Sequence, residues 1–258
     1  MTRLKLRFVK ILALAALLMA VALPAAAQTA VKAPAEPLAP SLEIVSSGQP
    51  MSVQMQIILL LTLLTLLPAV LASLTPFLRI VIVLHFLRQA LGTQTAPGNH
   101  TLLGLSLVLT LALMQPVLGE VYDTAVQPLR DAEVGQWEAV DAAKGPLKRH
   151  LARFARESEV ALMLNIMDRP RPNSPEDLDL AVLAPAYTLS ELKTAFQIGA
   201  VLFLPFLIID LIVASVTLSL GMVQLPPVMI SMPFKLLLFV LADGWNLVVG
   251  SLIKGFYN

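Results

Sequence analysis

Apolar residues run almost unbroken through four stretches of this chain, and most polar residues collect between the second and the third. The stretches are roughly Val53–Leu74, Thr101–Leu118, Ala195–Leu220 and Val228–Val249. At the rise of an α-helix, Ala195–Leu220 would be about 39 Å long, enough to span a bilayer with tilt. Thr188-Leu189-Ser190-Glu191 fits the S/T-x-x-E capping box, so a helix is expected to open there. A Gly/Pro-bounded break, Gly221–Pro227, separates the third stretch from the fourth. Each stretch holds or adjoins a proline: Pro68, Pro116, Pro205 and Pro233. Proline removes a helix hydrogen bond, which a membrane tolerates where neighbours satisfy the freed groups. The pattern predicts an all-α, multi-pass helical membrane protein with bent, Pro-interrupted helices and a small polar helical insert.

The segments between the stretches sharpen this picture. After Thr75-Pro76 the chain reads FLRIVIVLHFLRQALG, where Arg79, His85 and Arg88 share no single helical face. It is too apolar for a free loop, so it should pack against other helices or lie at the interface. Thr93–Asn99 is a turn signalled by Pro97-Gly98. Residues 51–121 then form a first membrane hairpin, 122–186 a soluble insert, and 187–258 a second hairpin. Within the insert, Leu147, Leu151, Phe154 and Leu162 predict one helix over Pro146–Met167. Lys148, Arg149, Arg153 and Arg156 stand beside Glu157 and Glu159, which reads as a solvated face. Arg169–Pro175 is a loop.

Composition excludes an ordinary soluble domain: 57% of residues are apolar and 14% charged. The formal net charge of +1 speaks for no nucleic-acid partner. There is no cysteine, and His85, His100 and His150 are scattered, so neither a metal centre nor any other cofactor is expected. The N-terminus has Arg3, Lys5, Arg7 and Lys10, then the short apolar run Ile11–Leu23, then Ala25-Ala26-Ala27. This is the pattern of a cleavable signal peptide over 1–27, cut between Ala27 and Gln28, with 28–50 a flexible lead-in. It would place the mature N-terminus outside the cytoplasm, the insert outside as well, and Gly221–Pro227 on the cytoplasmic side.

Charge inside apolar helices is costly and marks sites. Asp210 lies in the third stretch, and Lys235 and Asp243 lie in the fourth. Lys235 and Asp243 stand about 12 Å apart along a helix, too far for a direct pair. Each should meet a partner on another helix or another copy of the chain. The two readings are a structural charge pair that fixes subunit register and a proton or ion relay. An intramembrane aspartyl protease would use Asp210 and Asp243 as a dyad. Its Gly-x-Gly-Asp context is absent, because Val240-Leu241-Ala242 precedes Asp243. No enzyme is expected. A small-solute transporter would need an internal repeat between the helix pairs, and none is seen.

SELKTAFQIG, LPFLIIDLIVAS and PFKLLLFVLADGW closely resemble the FliP family of flagellar type III export-gate proteins, and the resemblance runs from about Met51 to the C-terminus. It implies a homo-oligomeric ring, usually of five copies, assembled with FliQ- and FliR-type subunits and other export apparatus proteins in the bacterial inner membrane. Unfolded flagellar substrates would pass through it. The loop matching Gly221–Pro227 would point into the pore, making Met222, Val223, Gln224 and Leu225 the candidates for the constriction. The family loop carries consecutive methionines. Here Met222 stands alone, so the place of the constriction carries over more readily than its methionine chemistry. Injectisome export subunits are the near alternative, and residues 1–27 favour the flagellar branch.

Overall fold

The computed structural model describes residues 53–172, 174, 177–222 and 226–257, and every regular element among them is helical. The expected signal peptide with its Ala27–Gln28 cleavage site, and the lead-in, lie outside the described residues. So do Val223, Gln224 and Leu225. The chain divides into two compact units between Val70 and Leu71, inside the first helix, α1 (Val53–Leu74). The first unit contributes the apolar helical residues 53–70, and the second holds the remaining described residues.

Its centre is α2 (Phe77–Ala90), the apolar segment that was too greasy for a loop. Ile80, Val83, Leu84 and Leu87 recur at helical spacing and are buried, with Leu91 just past the end. They pack against α3 (Asn99–Val121) and α7 (Leu180–Ser219). Ser106 and Thr110 of α3 are buried without cost to the fold. Each hydroxyl donates to the carbonyl one turn back, Leu102 O and Ser106 O, at 2.7 Å. A single π-helical turn, Tyr122–Val126, carries α3 on into the short α4 (Gln127–Arg130).

Over Pro146–Met167, where one helix was expected, the chain forms parts of two. α5 (Gln136–Phe154) ends at Ala155, and α6 (Glu157–Ile166) begins after Arg156. Arg156 is extended (φ −74°, ψ 141°) because α7 claims it. Its amide donates to Ser190 Oγ at 2.9 Å, and its guanidinium donates to Thr194 and Gln197. The basic face is therefore partly tied down: Arg149 pairs with Glu120, and Arg153 stacks toward Phe154. A second apolar cluster of Leu151, Leu164, Leu178, Val182, Leu183 and Tyr187 joins the insert to the start of α7.

α7 has 40 residues, and its N-cap lies nine residues before Thr188, the N-cap its capping box predicts. Asp179 is the N-cap, accepting from Ala181 N at 3.3 Å while Arg169 holds its carboxyl below the usual carboxylate range. Mid-helix, the box residues serve other ends. Thr188 donates to Ala184 O and Ser73 O, and Glu191 binds Arg79. Three helical runs among the described residues are long and apolar enough to cross a membrane: α1, α3 with its π turn and α4, and α7. At Gly199 a Cβ would come within 2.4 Å of the Phe86 ring, so α2 and α7 approach closely there.

The fourth stretch is not one straight helix. α8 (Pro227–Leu241) and α9 (Gly244–Tyr257) meet at a 64° bend. Asp243 takes the left-handed conformation (φ 49°), and the Phe239 ring lies where a Cβ on Gly244 would be, 2.2 Å away. Left-handed backbone breaks the helical hydrogen-bond ladder, and only glycine admits the ring.

Candidate functional site

α7 ends on a Schellman motif. Gly221 is left-handed (φ 73°), its amide donates to Leu218 O, and Met222 N donates to Thr217 O, both at 3.0 Å. The carbonyls of Thr217 and Leu218 are thereby satisfied, and Met222 is left exposed. The chain resumes as helix at Pro227, whose ring suits a first helical position. The break expected from Gly221 and the prolines is real, and its two flanking helices pack on each other.

What fixes those helices to the core is a polar clasp above the break. Lys235 Nζ of α8 donates to Asp210 Oδ2 of α7 at 2.6 Å and to the carbonyl of Ala90, the last residue of α2, at 3.1 Å. Ser231, one helical turn before Lys235, donates to the other carboxylate oxygen at 2.5 Å. Lys235 is only 3% exposed, whereas the Asp210 side chain keeps 28% of its surface. One ammonium thus ties three helices and also satisfies a helix-end carbonyl, where a cation is favoured. Gly92, just beyond α2, is left-handed (φ 76°) and lies against Val228 and Met232 of α8.

Asp243 is elsewhere. It is exposed at the α8–α9 bend and accepts from Asn246 Nδ2 at 3.0 Å, so in this chain it is not one of the buried charges. Asp210 and Asp243 have separate partners and do not form the shared-proton dyad a protease would need. Among the described residues no group of three or more His, Cys, Asp or Glu is placed to hold a metal ion.

A second buried charge pair went unread in the sequence. Arg79 of α2 donates to Glu191 Oε1 of α7, and the side chains are 7% and 0% exposed. The guanidinium also lies 4.0 Å from the Phe256 ring centroid, so α9 is held at the same point. The signal available was two lone opposite charges inside apolar helical segments. Glu191 was hidden by its resemblance to a cap.

His150 of α5 borders this knot, between the rings of Phe154 and Tyr187. Burial, with Arg153 and Arg79 nearby, pushes its imidazole from 6.5 down to about 4. The unfolded chain therefore takes up a proton near 6.5 that the folded chain refuses until about 4. His150 contributes stability that is full above 6.5 and falls as pH drops toward 4, by about 1.4 kcal/mol per unit and about 3 kcal/mol in all. Thermal midpoints of the parent and of His150→Gln between pH 7 and 4 check this. The parent should lose more than the variant, and parallel curves would refute it.

Comparisons with known proteins bear on the whole span from α1 to α9. The sequence profile of the FliP family matches residues 60–252. The flagellar biosynthetic protein FliP of Pectobacterium carotovorum subsp. carotovorum is 49% identical over 213 residues, covering 83% of this chain and 83% of that one. The protein of the same name from Bacillus subtilis (strain 168) is 46% identical over 217 residues, covering 83% of this chain and 98% of the relative. That of Borreliella burgdorferi (strain ATCC 35210 / DSM 4680 / CIP 102532 / B31) is 41% identical over 212 residues, covering 81% and 84%.

Proposed function

Since the chain belongs to the FliP family, we infer that it is a flagellar biosynthetic protein, a component of the flagellar export apparatus. The observation that carries this is the length of the match: it takes in α7, the break and α8, with the clasp that joins them. The apolar helices make it a membrane protein. In the finer reading it is a structural subunit of the export gate, in the inner membrane at the flagellar basal body. It forms a homo-oligomeric ring, of five copies, with FliQ- and FliR-type subunits, and unfolded flagellar substrates pass through that ring.

The α7–α8 break is the proposed constriction. Support comes from its chemistry and its mounting. Met222 is exposed just past a helix end closed by the Schellman hydrogen bonds, so its pliable thioether side chain is free to meet a passing chain. The clasp holds the two helices, so the residues between them are carried on a fixed base. Val223 and Leu225 are apolar and Gln224 is polar, a set able to seal against both side chains and water.

Expression of this chain in a FliP-deficient strain of one of the relatives tests the function. Secreted flagellin and swimming should return. Membrane-inserted chain at parental level with no export would overturn the reading. In the same strain, changing Met222, Val223 and Leu225 together to Ala should raise ion leak while export persists. Because the chain has no cysteine, single cysteines at 222–225 should crosslink to a stalled substrate without background. No crosslink and no added leak would place the constriction elsewhere.

A further inference from the structure

A groove lies between α3 and α5, and each helix lines it with one stripe of residues at helical spacing. From α3 come Leu113, Pro116, Val117 and Glu120; from α5 come Pro146, Arg149, His150 and Arg153. Phe154 and Phe256, with ring centroids 5.3 Å apart, line it too. The cavity they enclose is about 240 Å³, far more than the roughly 10–15 Å³ that one water needs. The α3 stripe changes character over the rise of about 10 Å from Leu113 to Glu120. Leu113 is 8% exposed, whereas the paired side chains of Glu120 and Arg149 keep 46% and 57% of their surface.

Charge and position narrow what fits such a groove. The Arg149–Glu120 pair is exposed and therefore weak, so Arg149 can exchange its carboxylate for another anion. Arg153 has no carboxylate partner among the described residues, and its guanidinium carbon is 5.5 Å from the Phe154 ring centroid. His150 is neutral at pH 7, since burial drives its imidazole down to about 4. Two arginines against one carboxylate leave the lining one net positive charge, open to one anion. From Asn99 to Glu120, α3 rises about 31 Å, the thickness of a bilayer's hydrocarbon core. With α3 spanning, Glu120 and Arg149 stand at headgroup level and Leu113 below it. One negative charge at headgroup level, joined to an apolar body, is the chemistry of an anionic phospholipid.

We propose that the groove between α3 and α5 binds one anionic phospholipid. Its phosphate sits at Arg149 and Arg153, and the upper part of an acyl chain lies against Leu113, Val117, Phe154 and Phe256. The lipid fastens the polar insert, through α5, to the membrane helix α3. The site requires a membrane protein and nothing of the export reading.

The test uses the full chain in a neutral detergent and phosphatidylglycerol as the probe. At ten times its half-saturating concentration the lipid should raise the thermal midpoint by about 3–5 °C. Phosphatidylcholine and inorganic phosphate should raise it much less. An equal shift with phosphate would mean a site for free anions, and an equal shift with phosphatidylcholine a site blind to charge; either overturns the proposal. Arg153→Gln alters an exposed side chain, so the lipid-free midpoint should stay put. Half-saturation should then need about five times more phosphatidylglycerol, the worth of one interfacial cation. Unchanged lipid binding with loss of oligomers would instead make the groove a contact between copies of the chain, and would refute the lipid. A second measurement needs no variant. Phosphatidylglycerol with a photoreactive group high on its acyl chain should label peptides from 113–120 and 146–154, and unlabelled phosphatidylglycerol should compete. Labelling confined to other peptides sinks the proposal.

Discussion

Replacing Asp210 with Ala should destabilise the protein by about 3–5 kcal/mol, the usual cost of removing one partner from a buried pair. The variant leaves the Lys235 ammonium 3% exposed, with the Ala90 carbonyl as its remaining contact. It also strips the hydrogen bond from Ser231. The reverse change, Lys235→Met, should cost less. Asp210 then keeps Ser231 and its partial contact with solvent, and methionine refills most of the apolar volume. The double variant should recover part of the loss, because neither charge is stranded. Thermal midpoints of the four proteins give the coupling directly. Additive losses would mean the pair does not act as a unit. The same series separates the two readings of Asp210. If its main partner were another copy of the chain, rings would be lost while the monomer kept its midpoint. If it were a relay, rings and midpoint would survive and export would fail.

Glu191→Ala should be at least as damaging, again about 3–5 kcal/mol. Glu191 is wholly buried, and its partner Arg79 sits between α2, α7 and the Phe256 ring of α9. Without the carboxylate a guanidinium remains buried against aromatic rings, which recover only a fraction of its lost pairing. The expected signature is loss of α9 packing first. Trypsin should cut at Lys254 in the variant sooner than in the parent, before global unfolding. Glu191→Gln should be milder, since an amide can still accept from Arg79. A parental midpoint in Glu191→Ala would show that the pair contributes nothing net.

The long apolar runs were legible because each must leave water wherever the rest of the chain goes. For the same reason the 77–90 segment could be read as either packed against other helices or lying at the interface, and the structure decides for a packed helix. The break at Gly221–Pro227 was legible as well, since glycine and proline act through their own backbone and need no neighbour. Helix limits were less legible. The capping box at Thr188 is a sound local signal, but Asp179 offers a cap too, and packing of Val182, Leu183 and Tyr187 against the insert extends α7 backward to it. The break at Arg156 was likewise decided by α7, through Ser190, Thr194 and Gln197.

The site divides the same way. Asp210 and Lys235 stood out singly, as charges in apolar helices, but not that they bind each other 25 residues apart. Arg79 and Glu191 are 112 residues apart, and no periodicity relates them. Asp243 shows the converse. Hydropathy places it within an apolar run, whereas the 64° bend it helps to make brings it to the surface. By itself the sequence determined which segments must be buried and where the backbone must break, because hydrophobicity and backbone sterics are properties of each residue and its near neighbours. Which charge meets which, and whether a given polar atom is covered or exposed, was decided only by the tertiary structure, because a Coulomb partner or a hydrogen bond depends on distance in space.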